Sequence, residues 1–247
     1  MASEISRLSS SFPDGSIRLV TAKPISLSYS SLSLFLECPR CFWLEKVKGI
    51  SRPDTIFPSL PGGMDGIIKK YFDRFRASGQ LPPELKGKVK GKLFPDQELL
   101  DVWRARHRGL RYLDKETGAA LMGLLDDCLV QDDRYLPLDY KTRGYPAKED
   151  TASYYQNQLN IYTLLLQENG YRTANCAYLV FYHPLEQNDG GRITFHMHPV
   201  KVDTDGERAR KVFRGAVDLL SRCPCPPSDG ECGFCEWAKQ VGSGLLE

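Results

Sequence analysis

The order of hydrophobic periods predicts a mixed α/β domain in which helices flank a central mixed sheet. Three observations carry this. Helical patterns come first, with apolar positions three and four apart. The period drops to two across residues 123–141, as in paired strands. A long helical stretch then separates that pair from two further alternating segments, the order of a layered fold with both element types in one core. The chain has 247 residues, 41% apolar and 26% charged, and can bury a sizeable core. It shows no internal repeat, so residues 25–247 read as a single domain behind a loose, Ser-rich arm over 1–24.

Ser26, Ser28 and Ser30 precede Leu32, Phe35 and Leu36, which marks a helix start. Pro39 interrupts that pattern, and Phe42, Trp43 and Leu44 resume it. Residues 50–63 read as a loop, Met64–Phe75 as an amphipathic helix, 79–96 as a second loop and Leu99–Leu110 as a helix. Gly123–Val130 and Tyr135–Lys141 form a hairpin about Asp132-Asp133-Arg134. Ser153–Asn169 is a helix closed by Gly170. Ala174–Tyr182 and Ile193–Val202 are strands, Asp203–Leu220 a helix, and a short helix ends the tail.

Composition excludes several classes. No run approaches 18 apolar residues, the length of a membrane-spanning helix, and no secretory signal is visible. The net charge of +2 neither requires nor excludes a nucleic-acid partner. Eight cysteines without a secretory signal point to a reducing, cytoplasmic location and to metal ligation rather than disulfides.

Asp126, Asp139 and Lys141 carry the chemistry. Positions 139 and 141 leave one face of a strand, and Asp126 lies on the facing strand of the hairpin. Two such carboxylates suit a hard divalent cation, and a lysine beside it can orient or deprotonate water. An ordinary hairpin with a surface salt bridge fits the same three residues. Gln158 shares a helix face with Tyr155 and Tyr162 just downstream, and a glutamine there is hard to assign to packing.

The order Gly123-x-x-Asp126, Asp139-Tyr140-Lys141-Thr142 and Gln158-x-x-x-Tyr162 resembles the PD-(D/E)XK nuclease superfamily, within it the RecB-like nucleases, including CRISPR-associated exonucleases. Ser28-x-Ser30 leading to Cys38-Pro39-Arg40, and the C-terminal cysteines, extend the likeness over about residues 26–240. The resemblance implies a restriction-endonuclease-like core and hydrolysis of DNA phosphodiesters with Mg²⁺ or Mn²⁺. It makes Asp126, Asp139 and the Tyr140 carbonyl metal ligands and sets Lys141 on the attacking water. Gln158 and Tyr162 would position the lysine or the backbone of the nucleic acid. Relatives of this kind often carry a metal-binding His in a G-x-x-H pattern. Here Gly62-Gly63-Met64-Asp65 places Asp65 there, either as a hard ligand or as a carboxylate favoured near a helix N-terminus.

Cys38-x-x-Cys41 and Cys232-x-x-Cys235 offer four thiolates, enough for Zn²⁺ or an iron–sulfur centre. Similar RecB-like nucleases hold a [4Fe–4S] cluster with one N-terminal and three C-terminal cysteines. This chain has no cysteine beyond Cys235 and adds Cys41, Cys223 and Cys225. The expected site is therefore Cys38, Cys41, Cys232 and Cys235 clamping the two ends of the domain, with Cys128 and Cys176 as core residues. Reduced, buried cysteines without metal are the alternative. His107, His183, His196 and His198 have no evident catalytic context, and the alternating pair His196 and His198 reads as structural. Lys86, Lys88, Lys90 and Lys92, then Arg104, Arg106, Arg108 and Arg111 around Trp103, are candidate phosphate contacts or solvated surface. No ATPase phosphate loop is present, so a helicase partner would be a separate chain. A nucleic-acid-binding or assembly module that has lost catalysis is the rival to a nuclease.

Overall fold

In the computed structural model the described residues are 24–53, 59–221, 224–228 and 230–242; the arm over 1–23 and Cys223 lie outside them. β1 (Ser26–Ser28) runs into α1 (Tyr29–Glu37), where the Ser28 hydroxyl accepts from the Ser31 N–H. Cys38 takes an extended conformation, and α2 (Pro39–Trp43) restarts with proline at its first position, where no amide hydrogen is needed. α3 (Ser59–Ala77) begins inside the loop expected over 50–63, five residues before the predicted start at Met64. Pro61 falls in its first turn, where proline is tolerated.

The second expected loop contains a two-residue strand, β2 (Lys92–Leu93). α4 (Gln97–Arg104) is capped by Asp96, and it stops short of the predicted end at Leu110, which instead opens β3 (Leu110–Leu113). β4 (Ala120–Gly123) pairs antiparallel with β3 and parallel with β1, a small three-stranded sheet that periodicity did not reveal.

The strand predicted over Gly123–Val130 divides in two. β4 ends at Gly123 and β5 (Asp127–Gln131) begins in a different sheet. The reason is local: Leu125 N–H donates to the Trp103 carbonyl at 3.2 Å, and Arg104 Nε donates to the Asp126 carbonyl at 2.7 Å. The end of α4 thus takes up backbone groups that a strand ladder would use.

β5 pairs with β6 (Arg134–Thr142) through a two-residue turn in which Asp132 and Asp133 both have positive φ, 48° and 59°. That is the hairpin geometry whose twist matches the strands. A 3₁₀ turn (Thr151–Tyr155) leads into α5 (Gln156–Glu168), and Gly170, at φ 86°, follows the helix end. β7 (Cys176–Asn188) and β8 (Arg192–Asp203) form a long hairpin, followed by α6 (Gly206–Ser221) and α7 (Gly233–Gly242).

The main sheet has the order β2-β5-β6-β7-β8, with β6–β7 its only parallel pair. α3 covers one face, packing Ile68 and Phe72 on Leu138, Tyr140 and Val180. α1, α5 and α6 cover the other, where Leu159, Leu179, Phe181 and Phe213 join the larger core. Helices on both faces of a mixed sheet match the predicted class and the restriction-endonuclease-like core.

Candidate active site and cysteine centre

Strand alternation builds the first half of the site. Leu138 and Tyr140 point into the α3-side core, so Asp139 and Lys141 face α5. Asp126 arrives from the turn before β5, held by Arg104 at its carbonyl. The Asp139 carboxyl is completely buried, and Lys141 Nζ lies 2.5 Å from its Oδ2 as an ion pair. Burial pushes this carboxyl up to about 7; Lys141 opposes the shift, and the neighbouring Asp126 adds to it.

A helix period builds the second half. Gln158 and Tyr162, four apart on α5, form a relay: Tyr162 Oη accepts from Gln158 Nε2 at 2.7 Å, and Gln158 Oε1 accepts from Lys141 Nζ at 2.9 Å. Lys141 Nζ also sits 4.7 Å from the centre of the Tyr155 ring. The lysine is therefore held by a carboxylate, an amide and an aromatic face. Burial drives the Tyr162 hydroxyl well above its ordinary range, so it stays protonated.

Asp65 reaches the same place from α3. Its Oδ2 accepts from Lys69 Nζ at 2.8 Å, and the same ammonium lies 2.8 Å from Asp126 Oδ1. Burial would lower the Lys69 pKa, but Asp126 and Asp65 hold it above the usual lysine value. Lys69 was not foreseen, although its spacing of four from Asp65 on an amphipathic helix is a readable signal. Tyr140 turns its side chain away, donating through Oη to Asp127 Oδ2 at 2.5 Å. What it can offer a cation is its main-chain carbonyl.

Asp127 was also missed. Adjacent to Asp126, it faces the opposite side of the sheet, fully buried, and accepts from Arg76 at 2.6 and 2.7 Å and from Arg104 at 3.3 Å. Arg104 further pairs with both Asp73 oxygens at 2.9 Å. Arg104 is thus a positioning residue behind Asp126, and not the phosphate contact that its place in a basic run suggested. Lys86, Lys88, Lys90 and Lys92 are exposed.

The site fits a divalent cation on its own chemistry. Asp126 and the fully buried Asp139 are close enough that Asp126 raises the Asp139 carboxyl even beside Lys141, so the pair offers hard oxygen donors whose shared charge a divalent cation would stabilise.

Cys38, Cys41, Cys232 and Cys235 meet, with every sulfur within 4.8 Å of every other. The closest pairs are Cys38–Cys235 at 3.7 Å, Cys41–Cys232 at 3.7 Å and Cys41–Cys235 at 3.6 Å. Burial opposes ionisation of Cys232, but the Cys235 backbone N–H and the neighbouring thiols bring it down to about 7. Burial and the surrounding thiols push Cys235 up to about 12. Arg52 joins the cluster's edge, donating to Cys232 Sγ at 3.3 Å and to Glu37 at 2.6 Å. Cys225 stands apart from the four, against Arg40 at 3.8 Å.

No described helix is long and apolar enough to cross a membrane. No curated protein matches the chain significantly. A family profile described as the PD-(D/E)XK nuclease superfamily does match, over residues 64–240. That span runs from α3 into α7 and contains Asp65, Asp126, Asp139, Lys141, Gln158 and Tyr162. With the profile, the sheet and the clustering of these side chains in agreement, the chain belongs to the PD-(D/E)XK nuclease superfamily.

Proposed function

We propose that this protein is a Mg²⁺- or Mn²⁺-dependent deoxyribonuclease of RecB-like type that hydrolyses phosphodiester bonds in DNA repair, recombination or defence. The observation that supports it most is the closeness of Asp126 to the fully buried Asp139 carboxyl, with Lys141 paired beside it. Asp126, Asp139 and the Tyr140 carbonyl hold the cation, and Asp65, linked to Asp126 through Lys69, completes the acidic set. A bound divalent cation lowers the pKa of water and stabilises charge on a phosphoryl oxygen. As an ammonium, Lys141 Nζ would orient the attacking water and offset charge developing on the phosphoryl oxygens, while the water's proton passes to solvent. Gln158 and Tyr162 keep the ammonium in place, which limits the positions it must search before reaction.

The cysteine cluster is read as a structural zinc centre. With metal–sulfur bonds of about 2.3 Å, a tetrahedral site has sulfur–sulfur edges of about 3.8 Å, close to the 3.6 and 3.7 Å separations here. In a [4Fe–4S] centre each thiolate binds a different iron, which spreads the sulfurs further apart. Purified protein assayed on linear DNA should cut with Mg²⁺ or Mn²⁺ and not with chelator. Asp139→Asn and Lys141→Ala should both be inactive, and cleavage at the wild-type rate by these variants refutes the assignment.

A further inference from the structure

The pairing of Thr142 with Tyr182 continues one residue past the end of β6: the Arg143 N–H donates to the Tyr182 carbonyl at 2.8 Å. Arg143 and His183 are therefore side by side on parallel chains. The period of two puts Arg143 on the face of Asp139 and Lys141, about 6.6 Å along from the lysine. His183 follows Tyr182, which belongs to the α3-side core, and so faces the active-site side as well.

Each carries a buried polar atom without a partner among the described residues, Arg143 Nε and His183 Nδ1. His183 is only 9% exposed. An unsatisfied buried polar group is costly, so two on adjacent strands, facing the same way, point to a hydrogen-bonding partner supplied by a ligand. His196 stands directly across from His183, ring centres 5.1 Å apart, and His198 lies opposite Phe181. Burial, with these two imidazoles, keeps the His183 pKa below the ordinary value. His183 is then neutral near pH 7 and offers a hydrogen bond, while Arg143 brings the charge. The segment after Arg143 adds Tyr145 and Tyr154, residues 82% and 69% exposed.

We propose that Arg143 and His183 form a phosphate-binding subsite that grips the nucleic-acid backbone beside the bond to be cut. A guanidinium and a ring N–H converging on one anion give charge-assisted hydrogen bonds, which fix the register of a strand without reading its sequence. The inference rests on the nuclease reading above and extends it to a substrate contact outside the cation site.

Arg143→Met keeps the aliphatic stem and removes the charge; Arg143→Lys restores it; His183→Phe keeps a ring. Binding of a labelled oligonucleotide, single-stranded or duplex, is followed by anisotropy in chelator across a salt series, and cleavage is measured with Mg²⁺. Arg143→Met should weaken binding about tenfold and flatten the log–log salt slope by about 0.7–0.9, the loss of one phosphate contact. Arg143→Lys should recover the slope. KM should rise while kcat stays within about twofold, and melting temperature should not fall, because an unpaired donor has been removed. The oligonucleotide showing the loss identifies whether the backbone belongs to a single strand or a duplex. If wild type binds and Arg143→Met and His183→Phe bind equally well with the same slope, the subsite is overturned and the nuclease reading stands. If wild type binds neither oligonucleotide, the subsite is likewise overturned. Loss of binding in the variants, with no cleavage by wild type, supports the subsite and sinks the nuclease reading.

Discussion

Asp139 is fully buried on β6 beside Lys141, and this sets a pH signature. Burial pushes its carboxyl up to about 7, from 3.8 for a free aspartate. Between those values the folded, metal-free protein binds a proton that the unfolded chain releases. Stability must therefore fall as pH rises from about 4 to about 7, by on the order of a few kcal/mol, and level off above. Asp139→Asn should flatten that dependence and raise the melting temperature of metal-free protein at pH 8, even as it abolishes cleavage. Calorimetry with chelator over this pH range checks it, and an unchanged profile in the variant would contradict the burial argument. In the active enzyme, cation and proton compete for the same oxygens. Raising Mg²⁺ should shift the acid limb of the pH–rate profile to lower pH. A second residue-scale test concerns the relay to Lys141. Tyr162→Phe removes the acceptor of Gln158 Nε2 while keeping the ring in its core place. It should lower kcat about 10-fold or more with KM little changed, as expected of lost positioning.

The turn between β4 and β5 aims one aspartate at the site and the next into an ionic cluster. Asp127 is fully buried and bound by Arg76, which is itself almost fully buried. Asp127→Ala takes the nearest carboxylate from that guanidinium and leaves it the Gln97 side chain, the Phe94 carbonyl and Asp73 at 3.5 Å, so we expect a loss of about 3 kcal/mol, read as a shift of the urea midpoint. Gly123 precedes the turn, and a Cβ there would stand 2.4 Å from Leu165 Cδ1 on α5. Gly123→Ala should cost about 1–3 kcal/mol by overpacking, and a melting temperature equal to wild type would refute the close approach. The hairpin β5–β6 and helix α5 were legible because their periods are clean and long. β3 and β4 were not, since four-residue strands give too few repeats to separate from a helix end. The continuous strand over 123–130 failed because α4, remote in sequence, hydrogen-bonds the backbone at Leu125 and Asp126.

Two C-x-x-C pairs, far apart in sequence, hold the first helices to the last. Cys38 and Cys41 lie at the start of α2, and Cys232 and Cys235 at the start of α7, which has no buried residue of its own. Little apolar burial ties that tail to the body, so an ion bound by the four thiolates would carry much of the connection. Metal analysis should find about one zinc per chain. Cys232→Ser should abolish binding of that ion and lower the melting temperature by roughly 5–15 °C. Iron with acid-labile sulfide in anaerobically purified protein would contradict the spacing argument.

The fold class, the D-x-K pair, the glutamine–tyrosine face and the four-cysteine set were determined by the sequence itself. Each follows from a local period or a short spacing: two residues on a strand, four on a helix, three in a ligand loop. Tertiary structure alone decided that Lys69 bridges Asp65 to Asp126, that Arg104 braces the site instead of facing a phosphate, and that Arg143 and His183 share a face with unmet hydrogen-bonding capacity. Those relations join residues from different elements. Their partners are chosen by how helices and strands pack and by which polar groups that packing strips of water, and neither is written in the spacing of one segment.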